Sequence, residues 1–272
     1  MNCRICSAES MPFHQGRVLS KYNVTYFRCV DCKFIQTEEP FWLKEAYENI
    51  ITQLDIGLVS RNLYLKEKLP VIIDGLFPEA KNMLDYGGGY GMLVRLMRDQ
   101  GYNFYRQDIY CQNLFAQHFD IADAGIKRFD LLTAFEVFEH LSDPLTEISQ
   151  MFELSDTIIF STEIVPEDVD FSSWWYVSPS TGQHIAFYSV ISLGKLAAHF
   201  GKYFYTNGKN MHILSKSQLD GVVAEKVLAD AKPAIITRIQ NIIAGKKPSR
   251  PSLLEPDYQF IESLLKSNNH SG

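Results

Sequence analysis

The chain has 272 residues, of which 46% are hydrophobic, and it carries 26 Lys and Arg against 32 Asp and Glu, a net charge of -6. A globular chain of this length can bury a full core, so we expect one main domain with additions. The acidic balance argues against a nucleic-acid-binding protein, which usually carries a concentrated excess of Lys and Arg.

The sequence has no pattern that predicts a membrane span or a secretory signal. Its apolar runs fall short of the roughly 18 residues that a transmembrane helix needs. Polar Asn2, Cys3 and Arg4 stand where a signal peptide would begin its apolar core. We therefore expect a cytoplasmic protein.

Two cysteine pairs open the chain: Cys3 with Cys6, and Cys29 with Cys32. Two thiolates at positions i and i+3 of a tight turn can hold one side of a tetrahedral zinc ion, and the second pair completes the site. Such a closed site is structural and has no open position for substrate. Disulfides or a redox dithiol are the alternative, and the lack of a secretory signal disfavours them. His14, between the pairs, is a spare ligand or an ordinary loop residue.

The segment from residue 41 to 80 is predicted to be helical. Two acids and Pro40 precede an apolar-periodic run, which is typical of a helix start. We expect two or three helices here, including Leu58–Leu69, that lie against the core and help to wall a pocket.

A glycine-rich stretch at residues 83–93 is predicted to form a strand, a tight turn and a helix start. Glycines at alternate positions can adopt positive φ and let the backbone approach a ligand: Gly87, Gly89 and Gly91. The dinucleotide fingerprint needs a further glycine or alanine where this chain has Met92 or Val94. The pattern thus favours a nucleotide-holding loop but disfavours NAD.

The following residues alternate between predicted strands and helices, which indicates an α/β fold with a parallel sheet. The predicted elements are strands at Asn82–Tyr86, Phe104–Asp108, Phe129–Phe135 and Thr157–Thr162, and helices at Met92–Gln100 and near Leu145–Phe152. Ligands in such sheets bind at the carboxyl ends of the strands. The glycine loop, Asp108, the turn from Glu136 to His140, and Glu163 are expected to converge there.

Three motifs in order resemble class I S-adenosylmethionine-dependent methyltransferases: the Asp85-x-Gly-x-Gly-x-Gly loop, Asp108 at the end of the next strand, and the stretch from Phe129 to Pro144. The resemblance covers roughly residues 81 to 205. It implies a Rossmann-like, mostly parallel sheet closed by an antiparallel hairpin, and S-adenosylmethionine as cofactor. It implies cofactor contacts by Asp85, Tyr86, Gly87, Gly89, Gly91, Asp108, Ile109 and Glu136, with Asp108 on the ribose hydroxyls. An adenine-contacting acid would be Asp120 or Asp123.

The N-terminal segment contains the two cysteine pairs, with Gln36 four residues after Cys32, and the core described above follows it. This arrangement is similar to a bacterial methyltransferase branch that includes sugar C-methyltransferases. The segment Gln183–Ser189 resembles their Glu-His-x-x-Tyr-Phe-Ser motif, with Gln183 in place of Glu and Phe187-Tyr188 in place of Tyr-Phe. The resemblance implies His184 as a general base, with Glu163 and His140 as further candidates. His140 has a second interpretation, in which it only shapes its turn.

Two adjacent tryptophans, Trp174 and Trp175, lie in a predicted loop beyond the sheet. Their aromatic faces could stack on a sugar or a base, or lie near the positively charged sulfonium. Alternatively, they pack the loop onto the core. The sequence favours neither interpretation.

The C-terminal part is predicted to contain one hairpin and several helices. We expect a helix at Ile191–Phe200 and a hairpin of 204–205 and 211–214 that turns at Asn207-Gly208. In the tail, which begins at about residue 216, we expect helices that end at Leu228, span Ala234–Ala244 and lie near Asp257–Lys266. The tail either packs on the domain or contributes to a homodimer.

Together these patterns divide the chain into a zinc-binding module (1–40), a helical lid or connector (41–80), a methyltransferase domain (81–215) and a helical tail (216–272). We predict a methyltransferase acting on a small polar acceptor, such as a nucleotide-linked or lipid-linked sugar of polysaccharide or natural-product biosynthesis. The alternatives are a non-catalytic cofactor-binding regulatory protein, or an O- or N-methyltransferase of another acceptor.

Overall fold

The computed structural model describes residues 1–48, 56–168, 170–229 and 250–268. The strands are β1 (Ser10–Val18), β2 (Tyr22–Cys29), β3 (Ile35–Thr37), β4 (Asn82–Tyr86), β5 (Asn103–Gln107), β6 (Leu131–Ala134), β7 (Thr157–Ser161), β8 (Ala186–Phe187), β9 (Tyr203–Thr206) and β10 (Met211–Ser215). The helices are α1 (Leu43–Ala46), α2 (Leu58–Leu76), α3 (Met92–Arg98), α4 (Pro144–Leu154), α5 (Val190–His199), α6 (Gly221–Leu228) and α7 (Leu254–Asn268).

The main sheet has six strands in the order β5-β4-β6-β7-β10-β9. The first four strands are parallel, and β10 is antiparallel to both of its neighbours. The closing hairpin turns where the sequence predicts it: Asn207 Oδ1 accepts from the amides of Asn210 and Met211 at 3.0 Å each, and Gly208 has φ of +73°. The predicted α/β fold with a mostly parallel sheet is confirmed.

The main sheet is covered on both faces, which explains why β6 and β7 are entirely buried. One face packs against apolar residues of α2, α3 and α6. The other face packs against α4 and α5, and also against Cys3, Cys29, Cys32 and Phe34. The N-terminal cysteine segment therefore shares a hydrophobic core with the main sheet.

A second sheet of four strands has the order β1-β2-β3-β8. Its last strand comes from much later in the chain, since Ile35 pairs with Phe187 and Gln36 with Ala186. The buried Gln36 side chain accepts from the Arg4 amide at 2.9 Å and donates to the Asn2 carbonyl at 2.9 Å. The small sheet thus connects the N-terminus with the segment that follows His184.

Helix α2 is longer than the predicted Leu58–Leu69 because it continues through Pro70. Proline lacks the amide hydrogen that would bond to the carbonyl four residues earlier. That carbonyl, of Lys66, instead accepts from Gln100 Nε2 at 2.9 Å. A neighbouring element therefore compensates for the proline.

By contrast, the helix expected after Pro40 is only the four-residue α1.

The last helix, α7, is anchored to the main domain by buried charges. Asp257 accepts from Arg98 at 2.7 and 2.8 Å, and Arg95 lies 3.0 Å away. The tail therefore packs on the domain at this point.

The helix predicted at Ala234–Ala244 lies outside the described residues. In the described parts of the chain, no helix is both long enough and apolar enough to cross a bilayer.

Candidate functional site

A cavity of about 880 Å³ opens at the carboxyl ends of β4, β5 and β6. The predicted cofactor residues that line it are Asp85, Tyr86, Gly87, Gly89, Asp108, Ile109 and Glu136. His140 and His184 line the same cavity, and residues of α1 and α2 cover it. The structure therefore brings most of the predicted site residues together, as expected from the strand ends.

The glycine loop turns over the end of β5, where Gly87 and Gly88 donate to the Gln107 carbonyl at 2.8 and 3.2 Å. A Cβ on Gly87 would lie 2.7 Å from Val137, and one on Gly91 would lie 2.7 Å from Asn113. These two positions therefore need glycine for packing. Gly91 is not among the residues found on the cavity wall, and it caps the start of α3 instead.

Gly89 differs from the other two loop glycines. Its φ is +53°, and a Cβ built there would meet no atom within 4 Å. Because Gly89 lines the cavity, that side chain would project into open space where a ligand can bind.

Asp108 is held in place by three backbone amides. Its Oδ2 accepts from Gly89 at 2.9 Å, and its Oδ1 accepts from Tyr110 at 2.8 Å and from Cys111 at 2.7 Å. A carboxylate offers about four acceptor positions, so the Oδ2 atom retains capacity for a donor from a ligand. Asp108 can therefore bind a hydroxyl group without releasing the loop.

Asp85 lies buried beneath the loop. It accepts from the Thr133 hydroxyl at 2.7 Å. Burial raises the pKa of this carboxyl from 3.8 to about 7, with a smaller contribution from the nearby Asp108. A Cβ on Gly88 would lie 2.9 Å from Asp85 Oδ2, so the loop closes tightly over this group.

Neither candidate for the adenine-contacting acid is among the described residues that line the cavity. Asp120 instead binds Arg106 Nε at 2.7 Å, and Asp123 accepts from the Asp120 amide at 2.9 Å. Arg106 donates to the Cys111 carbonyl at 2.9 Å and also contacts the Gly89 carbonyl. Asp120 therefore positions an arginine that ties the glycine loop to the next segment.

Gln107, which sequence reasoning did not single out, also lines the cavity. Its Oε1 atom is buried and has no hydrogen-bond partner among the described residues. Buried polar atoms are rarely left without a partner, so this oxygen marks a place where a ligand can donate a hydrogen bond.

Glu136 follows β6 and adopts φ of +56°, an uncommon conformation for a residue other than glycine. Its amide donates to Ser161 Oγ at 2.9 Å, and that hydroxyl donates back to Glu136 Oε1 at 2.9 Å. Arg61 from α2 lies 3.9 Å from Oε2. These contacts hold the strained residue on the cavity wall.

His140 and His184 meet edge to face, with ring centroids 4.9 Å apart. His140 Nδ1 bonds to the Gln183 carbonyl at 3.0 Å, and His184 Nδ1 bonds to the Tyr176 carbonyl at 2.6 Å. Since a carbonyl only accepts, each Nδ1 carries the hydrogen and each Nε2 keeps a lone pair. Burial lowers the pKa of His140 to about 4 and that of His184 to about 3, so both rings are neutral at neutral pH.

Two glutamates, Glu139 and Glu163, lie in surroundings that the sequence did not predict. Glu163, a predicted catalytic residue, is not among the described residues on the cavity wall, and it accepts from Asn210 Nδ2 at 3.0 Å. Glu139, which sequence reasoning passed over, is 0% exposed, and burial raises its pKa well above the usual value. The feature of the sequence that could have indicated Glu139 is that it directly precedes His140.

The two tryptophans have separate roles. Trp174 is buried and packs against Tyr176 and Phe187 at centroid distances of 5.3 and 5.9 Å. Trp175 is 71% exposed and lines the cavity. Trp174 therefore packs the loop onto the core, whereas stacking of Trp175 on a ligand stays a prediction.

The four N-terminal cysteines form a second candidate site, distant in sequence from the cavity. The Sγ atoms of Cys3 and Cys32, and of Cys6 and Cys29, are 3.5 Å apart, all four lie within 4.8 Å of one another, and none forms a disulfide. A Zn–S distance of about 2.3 Å places tetrahedral sulfurs about 3.8 Å apart, so the cluster fits zinc. His14 packs against Tyr26 and Phe171 instead.

Comparison with known proteins identifies one matching family. Residues 61–203 match the model of a family described as a methyltransferase domain. A search of curated protein sequences found no significant match.

Solved structures resemble the chain at low sequence identity. The plantazolicin methyltransferase BpumL in complex with S-adenosylhomocysteine is 10% identical, over 63% of this chain and 94% of that one, with a TM-score of 0.42. The mitomycin 7-O-methyltransferase MmcR is 13% identical, over 56% and 53%, with a TM-score of 0.40. An O-methyltransferase family protein from Burkholderia thailandensis is 11% identical, over 59% and 57%, with a TM-score of 0.42.

Proposed function

The chain belongs to the methyltransferase domain family, and on this premise we propose that it transfers a methyl group from S-adenosylmethionine to a small polar acceptor. The observation that carries the proposal is the composition of one cavity. The glycine loop and Asp108 line one part of it, and the histidine pair lines another. A cofactor-holding region and an acid–base region thus share the same enclosed space.

The residues on the loop side suit the proposed cofactor. Gly89 leaves open space that any side chain would fill, and Asp108 retains an acceptor position for the ribose hydroxyls. The unpartnered Gln107 oxygen can accept a further hydrogen bond. Gly91 supports this surface from behind through the start of α3, and the buried Asp85 forms part of the cavity floor.

When bound, S-adenosylmethionine supplies a methyl group on a positively charged sulfur, which an acceptor displaces directly. The chain's own task is to hold the donor and the acceptor in line, which can lower a barrier by about 7 to 11 kcal/mol. Helices α1 and α2 cover the cavity and help to exclude water from it.

On the acceptor side, His184 is our first candidate for a group that takes a proton, and His140 is the second. Each has an Nε2 lone pair, because its Nδ1 is committed to a backbone carbonyl. We do not extend the proposal to Glu163, since it is not part of this wall. The exposed face of Trp175 offers a stacking surface that suits a sugar ring, which supports a nucleotide-linked or lipid-linked sugar as the acceptor.

We further propose that Cys3, Cys6, Cys29 and Cys32 bind a structural zinc ion. The four sulfurs leave no open coordination position for a substrate. Because Cys3, Cys29 and Cys32 share the main core with Phe34, zinc would stabilise the surface on which the sheet packs.

The proposal is tested by calorimetric titration of the purified protein with S-adenosylhomocysteine, with NAD as the control ligand. We expect micromolar binding of the first alone, which corresponds to about 8 kcal/mol. Gly89→Ala should weaken this binding because its methyl group enters the cofactor space.

A matched control separates the filled space from backbone strain. Gly125 also has positive φ, +64°, and no neighbours within 4 Å of a Cβ, but it does not line the cavity. Gly125→Ala should therefore carry the same strain and leave the affinity unchanged. Binding of NAD in preference to S-adenosylhomocysteine, or equal effects of the two variants, would contradict the proposal.

A further inference from the structure

We propose that Glu139, His140 and His184 bind a divalent transition-metal ion at the acceptor side of the cavity. One ligand atom from each residue lies within 4.8 Å of the others. Two imidazole nitrogens and one carboxylate oxygen form a common set for zinc and for non-haem iron, and they leave positions open for other ligands. This set is chemically distinct from the four thiolates of the N-terminal cluster.

The two histidines already have the orientation that a metal ligand needs. In metal sites, the ring nitrogen that does not bind the metal usually donates to a carbonyl or a carboxylate, which fixes the ring and its tautomer. Here the Nδ1 atoms donate to the carbonyls of Gln183 and Tyr176. The Nε2 lone pairs are therefore available for coordination.

Glu139 supplies the second, independent observation. The residue is 0% exposed, and neither of its carboxyl oxygens has a hydrogen-bond partner among the described residues. The nearby Tyr176 hydroxyl, which pairs with the Thr162 hydroxyl at 3.2 Å, stabilises the ionised carboxyl only in part. A buried carboxyl without partners is costly to a fold, and a bound dication would offset that cost. The histidine pair alone, acting as a base, would not explain this carboxyl.

The position of the cluster gives the metal a role that rests on the proposed function. Because His140 and His184 line the cavity, the open coordination positions face the acceptor space. A hydroxyl of the acceptor that binds there would have a lowered pKa and would release its proton to solvent. Its oxygen would then form a bond to the methyl carbon while the carbon–sulfur bond breaks, and the electron pair would stay on sulfur. For a hydroxyl acceptor, the metal would thus replace the role of base proposed for His184, whose Nε2 would then be a ligand.

The test is the metal content of the full chain after equilibration with zinc and removal of the unbound excess. We expect about two ions per chain in the unmodified protein, one in each site, and about one in Glu139→Gln. This substitution keeps the shape of the side chain and buries no additional charge. Glu147→Gln is the matched control: Glu147 also lies on the cavity wall but is not in the cluster, and its variant should keep about two ions.

Cobalt distinguishes which site has been lost. Cobalt bound to thiolates absorbs through charge transfer from sulfur, and cobalt bound to nitrogen and oxygen does not. Glu139→Gln should keep the sulfur band and lose only the ligand-field absorption of the nitrogen and oxygen site, whereas Cys29→Ser should weaken the sulfur band. About one ion per chain in the unmodified protein, or equal content in Glu139→Gln, would overturn the proposal.

The outcome is separable from that of the proposed function. Titration with S-adenosylhomocysteine should give the same affinity for Glu139→Gln as for the unmodified chain, which also shows that the variant is folded. Two bound ions without any binding of S-adenosylhomocysteine would support the metal site and refute the cofactor assignment.

Discussion

Replacing Asp85 with asparagine should change how the stability of the protein depends on pH. Asparagine has nearly the same shape and can still accept from the Thr133 hydroxyl, which lies 2.7 Å from the carboxyl. It does not ionise. The comparison therefore isolates the free energy of placing a carboxylate beneath the glycine loop.

The magnitude follows from the shift in pKa. Burial raises the pKa of Asp85 from 3.8 to about 7, which is a difference of about three pH units. At 1.36 kcal/mol per unit, this corresponds to about 4 kcal/mol. The folded state favours the protonated carboxyl, so the contribution is fully present below the unfolded pKa near 4 and is lost as pH rises through about 7.

The assay is urea-induced unfolding of both proteins at several pH values between about 4 and about 9. The stability of the unmodified protein relative to Asp85→Asn should fall by about 4 kcal/mol across this range. Three histidines with lowered pKa values, His140, His184 and His212, destabilise the fold as pH falls below about 6.5. Both proteins contain these histidines, so their contribution cancels when the two free energies of unfolding are subtracted. A difference that does not vary with pH would refute the reasoning.

Three further substitutions test separate parts of the molecule. Asp108→Ala should weaken binding of S-adenosylhomocysteine by at least about 1.5 to 3 kcal/mol, the range for a charge-assisted hydrogen bond, and an unchanged calorimetric affinity would count against its cofactor role. Cys29→Ser should remove the thiolate-bound zinc and lower the unfolding midpoint, whereas a fully stable, zinc-free protein would be evidence against the structural site. Asp257→Ala should destabilise the fold by about 3 to 5 kcal/mol in urea, because it leaves the buried Arg98 charge without its carboxylate. The exposed Glu255→Ala on the same helix is the control, and equal effects would exclude the buried pair as the cause.

The features that could be predicted from the sequence are those that short segments determine. The alternation of strands and helices, the turn at Asn207-Gly208 and the location of the glycine loop all depend on residues close together in the chain. Each is confirmed by the structure. The clustering of four cysteines from two distant pairs was also predictable, since the ligand spacing itself carries the information.

Other features depend on contacts that no local pattern contains. The length of α2 could not be predicted, because the helix continues through Pro70 and the Lys66 carbonyl accepts its hydrogen bond from the distant Gln100. Which of two adjacent tryptophans faces the cavity depends on how the whole loop packs. Glu139 was overlooked because a glutamate beside a histidine is usually exposed, and only the folded structure reveals that its carboxyl is buried without a partner.

The pairing of β3 with β8 has a consequence for how this protein can be divided or recombined. Strand β8 begins two residues after His184, and β3 is the strand with which it pairs in the small sheet. Removing the first 40 residues would leave β8 as an unpaired edge and expose the apolar surface beneath Phe34. Although they come first in the sequence, these residues therefore support the segment that follows His184, and exchanging them between related proteins would require exchanging the segment around β8 as well.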